Sequence, residues 1–272
     1  MFITPFVFGV FGLIIGSFLN VLILRQGIRS VSGRSACMSC DRRIHWYDLI
    51  PVVSWIFLRG RCRNCGAAIS IQYPLVEGGT GIVFAVIGAA PILLLSKLLS
   101  LPIAALLIAI AVHDLRTTII PDAWVAITGV LSLISAIVGV STTDSYVVVL
   151  LAGPLAALPL FILWYVSDGR WMGLGDPKLA LTLGWLLGFP GGFSAVFLAF
   201  IIGAAVGIPL LALSSPNAMP IIKKLIPIKR FQSSPLGFTM KSEIPFGPFL
   251  IASCFIVWFS QMYSLVIPFV WQ

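Results

Sequence analysis

Asp114 and Asp176 are the residues of this chain whose type and setting could do chemistry. Each lies at the end of a long apolar run in a sequence that is only 10% charged, and an ionisable group kept at a membrane boundary is costly enough to be a functional candidate. Asp176 closes the turn Gly173-Leu174-Gly175-Asp176, and Asp114 opens a loop that continues through Ile120-Pro121-Asp122. Two carboxyls can hydrolyse a peptide when one is ionised to activate water and the other is protonated to donate to the carbonyl oxygen. Close carboxyls reach that state by driving their proton affinities apart. The glycines before Asp176 allow close approach of a neighbouring helix or an extended substrate, and Pro177 suits the first turn of the next helix. Taken alone, those residues read more simply as a helix start with an aspartate near its N-terminal dipole. The second boundary aspartate is what points to a site.

Other acids compete for that role. Capping or a solvated turn accounts for Asp122 after Pro121 and for Asp168 in Ser167-Asp168-Gly169-Arg170. Glu77 and Glu243 fall at membrane edges and, with Gly173, Gly175 and Lys178, are candidates to line a substrate groove. Pairing with cations such as Lys241 explains the two glutamates equally well. His113 reads as a core-packing residue.

Four of the five cysteines form two knuckles, Cys37-Met38-Ser39-Cys40 and Cys62-Arg63-Asn64-Cys65. This spacing reads as a zinc ribbon, a closed tetrahedral thiolate site that folds a segment too small for its own core. The competing reading is a pair of disulfides, which a reducing cytoplasm disfavours. Cys254 has no partner motif and reads as a small apolar packing residue.

The elements that must position these groups are membrane helices. The chain is 59% hydrophobic and 12% aromatic, with a mean hydropathy of +1.08, far above a soluble domain. Its apolar runs have the roughly 20-residue length of a transmembrane helix and lack the alternation of a barrel strand. The expectation is an all-α polytopic membrane helix bundle of about eight spans, near 5–24, 78–96, 98–113, 123–140, 146–166, 178–189, 192–214 and 245–268. The sixth and seventh form either two spans or one re-entrant hairpin. The first run has neither a basic n-region nor a small-residue cleavage site, so it reads as a retained helix. The corresponding division is a first helix over 1–24, a cytoplasmic tetra-cysteine domain over 25–77 and a membrane domain over 78–272.

Orientation follows from the excess of lysine and arginine on cytoplasmic loops. With the N-terminus outside, sixteen of the 17 Lys and Arg residues fall on the cytoplasmic side and only Lys97 falls outside. The net charge of +8 is then explained by orientation and anionic lipid, and calls for no nucleic-acid partner. Asp114 and Asp176 fall at the same cytoplasmic depth.

In order along the chain, Gly16-Ser17-Phe18-Leu19-Asn20-Val21, the two cysteine knuckles, Leu58-Arg59-Gly60-Arg61, Ile69 to Glu77, Asp114 with Ile120-Pro121-Asp122, Gly173 to Leu179 and Ile244-Pro245-Phe246-Gly247-Pro248 resemble the bacterial type IV prepilin peptidases. Each piece is weak alone, and their shared order is specific. The resemblance implies that Asp114 and Asp176 are the catalytic pair of a membrane aspartic peptidase. It implies a substrate prepilin or pseudopilin whose short basic leader is cut at the cytoplasmic face of the inner membrane, after glycine and usually before phenylalanine. It also implies methylation of the new N-terminus from S-adenosylmethionine by the cysteine-containing region, although no nucleotide-binding fingerprint is visible. Met38 replaces a familiar proline in the first knuckle, Val125 stands where threonine is common, and Leu174 occupies the middle of the glycine motif. None of these removes a thiolate or a carboxylate. A transporter would call for internal repeats, which are not visible, and a zinc-bearing scaffold would leave the two aspartates without a reason.

Overall fold

The computed structural model describes residues 3–26, 33–139, 145–213 and 245–266. Glu243, Lys241 and most of the segment before the last helix lie outside them. The long helices are α1 (Ile3–Arg25), α3 (Gln72–Ala89), α4 (Leu94–Thr117), α5 (Asp122–Gly139), α6 (Tyr146–Val166), α7 (Gly175–Leu213) and α8 (Gly247–Met262), and a short α2 (Val53–Phe57) lies in the cysteine segment. No strand forms among the described residues beyond two isolated bridges, Ala36 with Arg43 and Arg61 with Ala68. Five helices, α1, α4, α5, α6 and α7, are long and apolar enough to cross a membrane. The all-α membrane bundle expected from composition is what forms.

Several span boundaries differ from the sequence reading, most of all those of the second and third spans. The second span begins at Gln72, and the third begins at Leu94, so Lys97 is inside α4. The break falls at residues 90–93 around Pro91, within an unbroken apolar run where hydropathy carries no mark of a turn. Lys97 Nζ donates to the Gly88 carbonyl at 2.7 Å, where the end of α3 leaves carbonyls without helical partners.

α7 is two helices. Gly188 has φ 73° and ψ 171°, outside the helical region, and a Cβ on Gly192 would stand 2.8 Å from the Cα of Gly184. Residues eight apart in a straight helix are about 12 Å apart, so the chain doubles back at Gly188. Gln261 Nε2 on α8 donates to the Leu187 carbonyl at 3.0 Å and satisfies the end of the first arm. That arm, residues 175–187, is about 20 Å long, short of the roughly 30 Å hydrocarbon core. Counting the arms separately gives eight long helical segments among the described residues, of which the first arm of α7 and the 16-residue α8 are both shorter than that core.

Small residues let these helices approach closely, as they do in lipid, where apolar burial alone gives no drive to associate. A Cβ on Gly12 would meet the Thr80 carbonyl at 2.7 Å and one on Gly16 the Glu77 Cα at 2.7 Å, which seats α1 on α3. The fully buried Leu107, Ile110, Leu160, Leu179, Leu183 and Leu250 draw α4, α6, α7 and α8 into one core. Around it, Phe6, Phe18, Ile82, Val130 and Phe197 remain exposed, as expected of a surface meeting lipid tails.

One end of the bundle collects the polar groups. Asn20 near the end of α1 donates to the Tyr73 carbonyl at 3.2 Å, and Gln72 donates to Asn20 at 3.4 Å. Arg116 at the end of α4 donates to Gln72 at 2.8 Å, and Lys178 in the first turn of α7 pairs with Asp122 at the start of α5 at 2.7 Å.

Candidate active site

Asp114 and Asp176 both belong to this polar end, and both are buried, at 3% and 7% exposure. Asp114 lies in the last turn of α4. That helix stops because Thr118 turns left-handed, with φ 55°, and returns its N–H to the Asp114 carbonyl at 2.8 Å. His113 fixes the loop that follows. Its Nδ1 lies 2.9 Å from the Ile119 carbonyl, which can only accept, so Nδ1 carries the proton. Its ring sits edge-on to Trp124 at 5.4 Å. This is the packing role expected of it, with an added function as a loop clasp.

Ile120, delivered by that loop, is wedged between Gly175, the residue before Asp176, and Gly247, which lies against Asp114. A Cβ on Gly175 would come within 3.0 Å of Ile120 Cβ, and one on Gly247 would lie 3.3 Å from Ile120 Cδ1 and 2.6 Å from Asp114 Oδ2. Asp114 therefore lies against the backbone that starts α8, and Asp176 follows the glycine that packs on the same isoleucine. Asp176 is within Coulombic reach of Asp114. Asp114 Oδ2 is buried and makes no hydrogen bond of good geometry among the described residues. A buried carboxylate oxygen left unpaired is expensive, and such exceptions mark sites that complete themselves with substrate or solvent.

The remaining sequence candidates separate. Gly175 abuts the Ile120 wedge, while Gly173 is exposed and accepts the Asp176 N–H at 3.3 Å. Lys178 is held by the exposed Asp122. Asp168 sits in a tight turn at φ 50°. Glu77 is buried inside α3, 7% exposed, with Ser17 beside it, and accepts the backbone N–H of Val52 at 2.7 Å. Val52 has φ 61°, which is rare for a β-branched residue, so Glu77 ties a strained turn of the cysteine segment to the membrane helices. The contributions of Ile120, Gly247, Gln72 and Arg116 were not legible from the chain. Gly247 carried a signal, as a glycine between prolines next to a helix start, but nothing local linked it to Asp114.

The cysteine segment folds as two matching knuckles. Asp41 N–H donates to Cys37 and Gly66 N–H to Cys62, at 2.9 and 3.0 Å, and both turns close through a positive φ, 51° at Asp41 and 71° at Gly66. The four Sγ atoms lie within 4.8 Å of one another, and Cys37 Sγ is 3.8 Å from Cys65 Sγ. Four thiolates about 2.3 Å from a tetrahedral zinc sit about 3.8 Å apart, so the cluster could hold such an ion. The N–H groups of Ser39 and Cys40 pull the Cys37 thiol down to about 6. Against the lowering pull of the Ala67 N–H, burial and the neighbouring thiols push Cys65 up to about 11. Clustered thiols that share protons unequally suit a site where a metal displaces them. Arg63, inside the second knuckle, grips Asp48 through Nε and Nη2 at 3.0 and 2.7 Å, and Arg42 reaches Asn64 across the knuckles at 3.2 Å. Cys254 is fully buried.

A multi-pass helical membrane protein with two buried carboxyls at one face and a four-thiolate cluster beside that face is the class defined so far. The chain matches the Bacterial Peptidase A24 N-terminal domain over residues 10–90 and the Type IV leader peptidase family over residues 101–208. It is 33% identical over 217 residues to a Myxococcus xanthus protein named Prepilin leader peptidase/N-methyltransferase, covering 78% of this chain and 64% of that protein. A Bacillus subtilis protein of the same name is 32% identical over 200 residues, covering 73% and 79%. One from Aeromonas salmonicida is 31% identical over 274 residues, covering 88% and 85%. No solved structure gives a significant match. This chain belongs to the type IV leader peptidase family.

Proposed function

We propose that this chain is a membrane aspartic endopeptidase that removes the basic leader of type IV prepilins or pseudopilins and methylates the amine so exposed. The observation that carries this reading is the burial of Asp114 and Asp176 at one end of the bundle, on segments that share the Ile120 wedge. In the reaction, the ionised carboxyl takes a proton from water as the water oxygen bonds to the scissile carbonyl carbon. The protonated carboxyl gives its proton to the carbonyl oxygen. Collapse of the tetrahedral species breaks the C–N bond, and the nitrogen leaves as an amine after taking up a proton. His113 and Thr118 hold the carboxylate of Asp114 in place by fixing the end of α4.

The orientation places this face in the cytoplasm and the N-terminus outside, on the distribution of lysine and arginine. The substrate's apolar helix then remains in the lipid while its leader stays in the cytoplasm. Cys37, Cys40, Cys62 and Cys65 would hold a structural zinc ion, and the chain divides into a first helix over residues 1–24, a cysteine domain over 25–77 whose last six residues begin α3, and a membrane domain over 78–272. Methyl transfer calls for S-adenosylmethionine, which supplies an electrophilic methyl group to an amine. A cavity of about 630 Å³ beside the cysteine segment, lined in part by Trp55, Arg59, Arg61 and Ser70, fits a molecule of that size. Trp55, Arg59 and Arg61 would be the residues to hold it, an indole suited to stacking on a base and guanidinium groups suited to a carboxylate.

The test is cleavage of a prepilin in membranes bearing the wild-type chain, Asp114→Asn or Asp176→Asn, with protein level and zinc content measured in parallel. Loss of cleavage in both variants at normal abundance and zinc supports the assignment. Full activity in either removes that residue from the mechanism.

A further inference from the structure

The short helix α2 presents an apolar face that the described residues leave uncovered. Val53, Ile56 and Phe57 fall at the i, i+3 and i+4 spacing of one helical face, and all three are exposed, Phe57 at 82%. Trp46 and Ile50, just before the helix, are exposed as well. Trp55 points the other way, into the cysteine segment: its Nε1 donates to the Ile69 carbonyl at 3.3 Å, and a Cβ on Gly60 would meet its ring at 2.8 Å. The depth of α2 is set by α3. Arg116 donates to Gln72 at 2.8 Å, which puts the first residue of α3 level with an arginine at the polar end of the bundle, where such a charge meets the membrane surface. Glu77 is five residues further along α3, about 7.5 Å deeper. It accepts the N–H of Val52, the residue directly before α2, at 2.7 Å. A Cβ on Gly78 would lie 3.9 Å from Val52 Cγ2, and Gly78 shares a helical face with the exposed Leu75 and Ile82, three residues before it and four after it.

We propose that Trp46, Ile50, Val53, Ile56 and Phe57 form a docking surface for the bilayer itself, set into the leaflet at the polar end of the bundle. A level about 7.5 Å below the surface charges is the boundary of headgroups and acyl chains, where a helix lying in the interface buries its apolar side. The surface continues an established one, because α2 starts on the flank of α3 that Leu75 and Ile82 present to lipid. Its composition agrees. Arg59 and Arg61, both exposed, follow the apolar stripe, as cations do in interfacial helices, and tryptophan is a residue that this boundary favours. The cysteine segment is therefore held against the membrane instead of being suspended above it. On the methylation reading proposed above, this brings the cavity at Trp55 to the leaflet in which the substrate's helix lies, and the cut helix meets it without leaving the membrane.

The test places a photoreactive side chain on the surface of the full chain in phospholipid vesicles, by Phe57→benzoylphenylalanine or, on the second knuckle, Asn64→benzoylphenylalanine. Both positions are exposed, so neither substitution disturbs a packed core. After illumination, lipid adducts on the peptides bearing each position are measured by mass spectrometry. The expected yield at Phe57 exceeds that at Asn64 by at least about tenfold, as for a side chain sunk in acyl chains against one in water. Equal yields, or no lipid adduct at Phe57, overturn the proposal. A cross-link from Phe57 to a second copy of the chain, in place of lipid, overturns it too and assigns the face to a dimer. If the Phe57 variant does not accumulate, Ile56→benzoylphenylalanine decides by the same comparison. The labelling needs no catalysis, so its failure is distinct from failure of the peptidase or methylation reading, which cleavage and methylation assays on the wild-type chain would show.

Discussion

Replacing Gly247 with alanine should damage cleavage more than any other single methyl group added to this protein. The added Cβ would stand 2.6 Å from Asp114 Oδ2, whereas ordinary contact begins near 3.4 Å, so one of them must give by about 0.8 Å. Ile120 Cδ1, 3.3 Å from the same point, adds a second tight contact. Asp114 is the partner that moves, and it is 3% exposed with little room. Gly247 does not have a positive φ, so alanine brings no backbone strain and the effect is confined to the carboxylate. A displacement near 1 Å at a reacting group costs on the order of 10²-fold in rate. The assay is prepilin cleavage in membranes at saturating and limiting substrate, with abundance checked by immunoblot. The expected result is a kcat reduced about 10²-fold at normal abundance and nearly unchanged KM. Gly175→Ala is the comparison, because the three nearest atoms its Cβ would meet all belong to Ile120, at 3.0–3.5 Å, and it should lose less. Wild-type kcat in Gly247→Ala would show that the position of Asp114 against α8 does not matter to the reaction.

Purified protein should contain one zinc per chain by elemental analysis, and Cys37→Ser or a strong chelator should leave the cysteine segment open to protease; metal-free protein with a resistant segment would contradict the four-thiolate site. Glu77→Leu should loosen the same segment by removing the acceptor for the Val52 N–H, at a cost of about 1.5–3 kcal/mol for a buried hydrogen bond to a charged group. Glu77→Gln, which keeps an acceptor, should lose less, and equal protease resistance in all three proteins would refute that tie. The hydrogen bonds from Arg63 hold the Asp48 carboxyl below the usual range, so this pair stabilises the segment above the ordinary carboxylate pKa. That contribution disappears as pH falls through the lowered value. The difference in thermal stability between wild type and Asp48→Asn should be present at pH 7 and shrink on acidification, and a difference that grows on acidification would reverse the assignment.

What could be read from the chain was local or periodic. The cysteine knuckles declared themselves by spacing, because Cys37 and Cys40, like Cys62 and Cys65, are placed by one tight turn whose hydrogen bonds lie within the knuckle. The helices and their shared polar end followed from apolar length and from where Arg116, Arg170 and Lys178 fall. The turn between α3 and α4 was not legible, because residues 90–93 are as apolar as the helices they join. Nor was the contact of Gly247 with Asp114, which comes from α4 and α8 meeting in space with more than a hundred residues between them. Glu77 looked like a groove residue because a glutamate at a membrane edge has many possible partners, and only the fold brings the Val52 N–H to it. The reversal at Gly188 was open to two readings because Phe189-Pro190-Gly191-Gly192 can end a span or fold a hairpin. The contact between Gly184 and Gly192 shows that the chain doubles back at Gly188, as either reading requires.

The central claim is that Asp114 and Asp176 act as one unit, and non-additivity measures it directly. Residues that share one proton-transfer step are each indispensable, so removing the second after the first changes nothing further. Cleavage rates of Asp114→Asn, Asp176→Asn and the double variant, at matched abundance and zinc content, should fall to a common floor. Losses that multiply in the double variant would mean the two carboxyls act independently and would contradict the shared site.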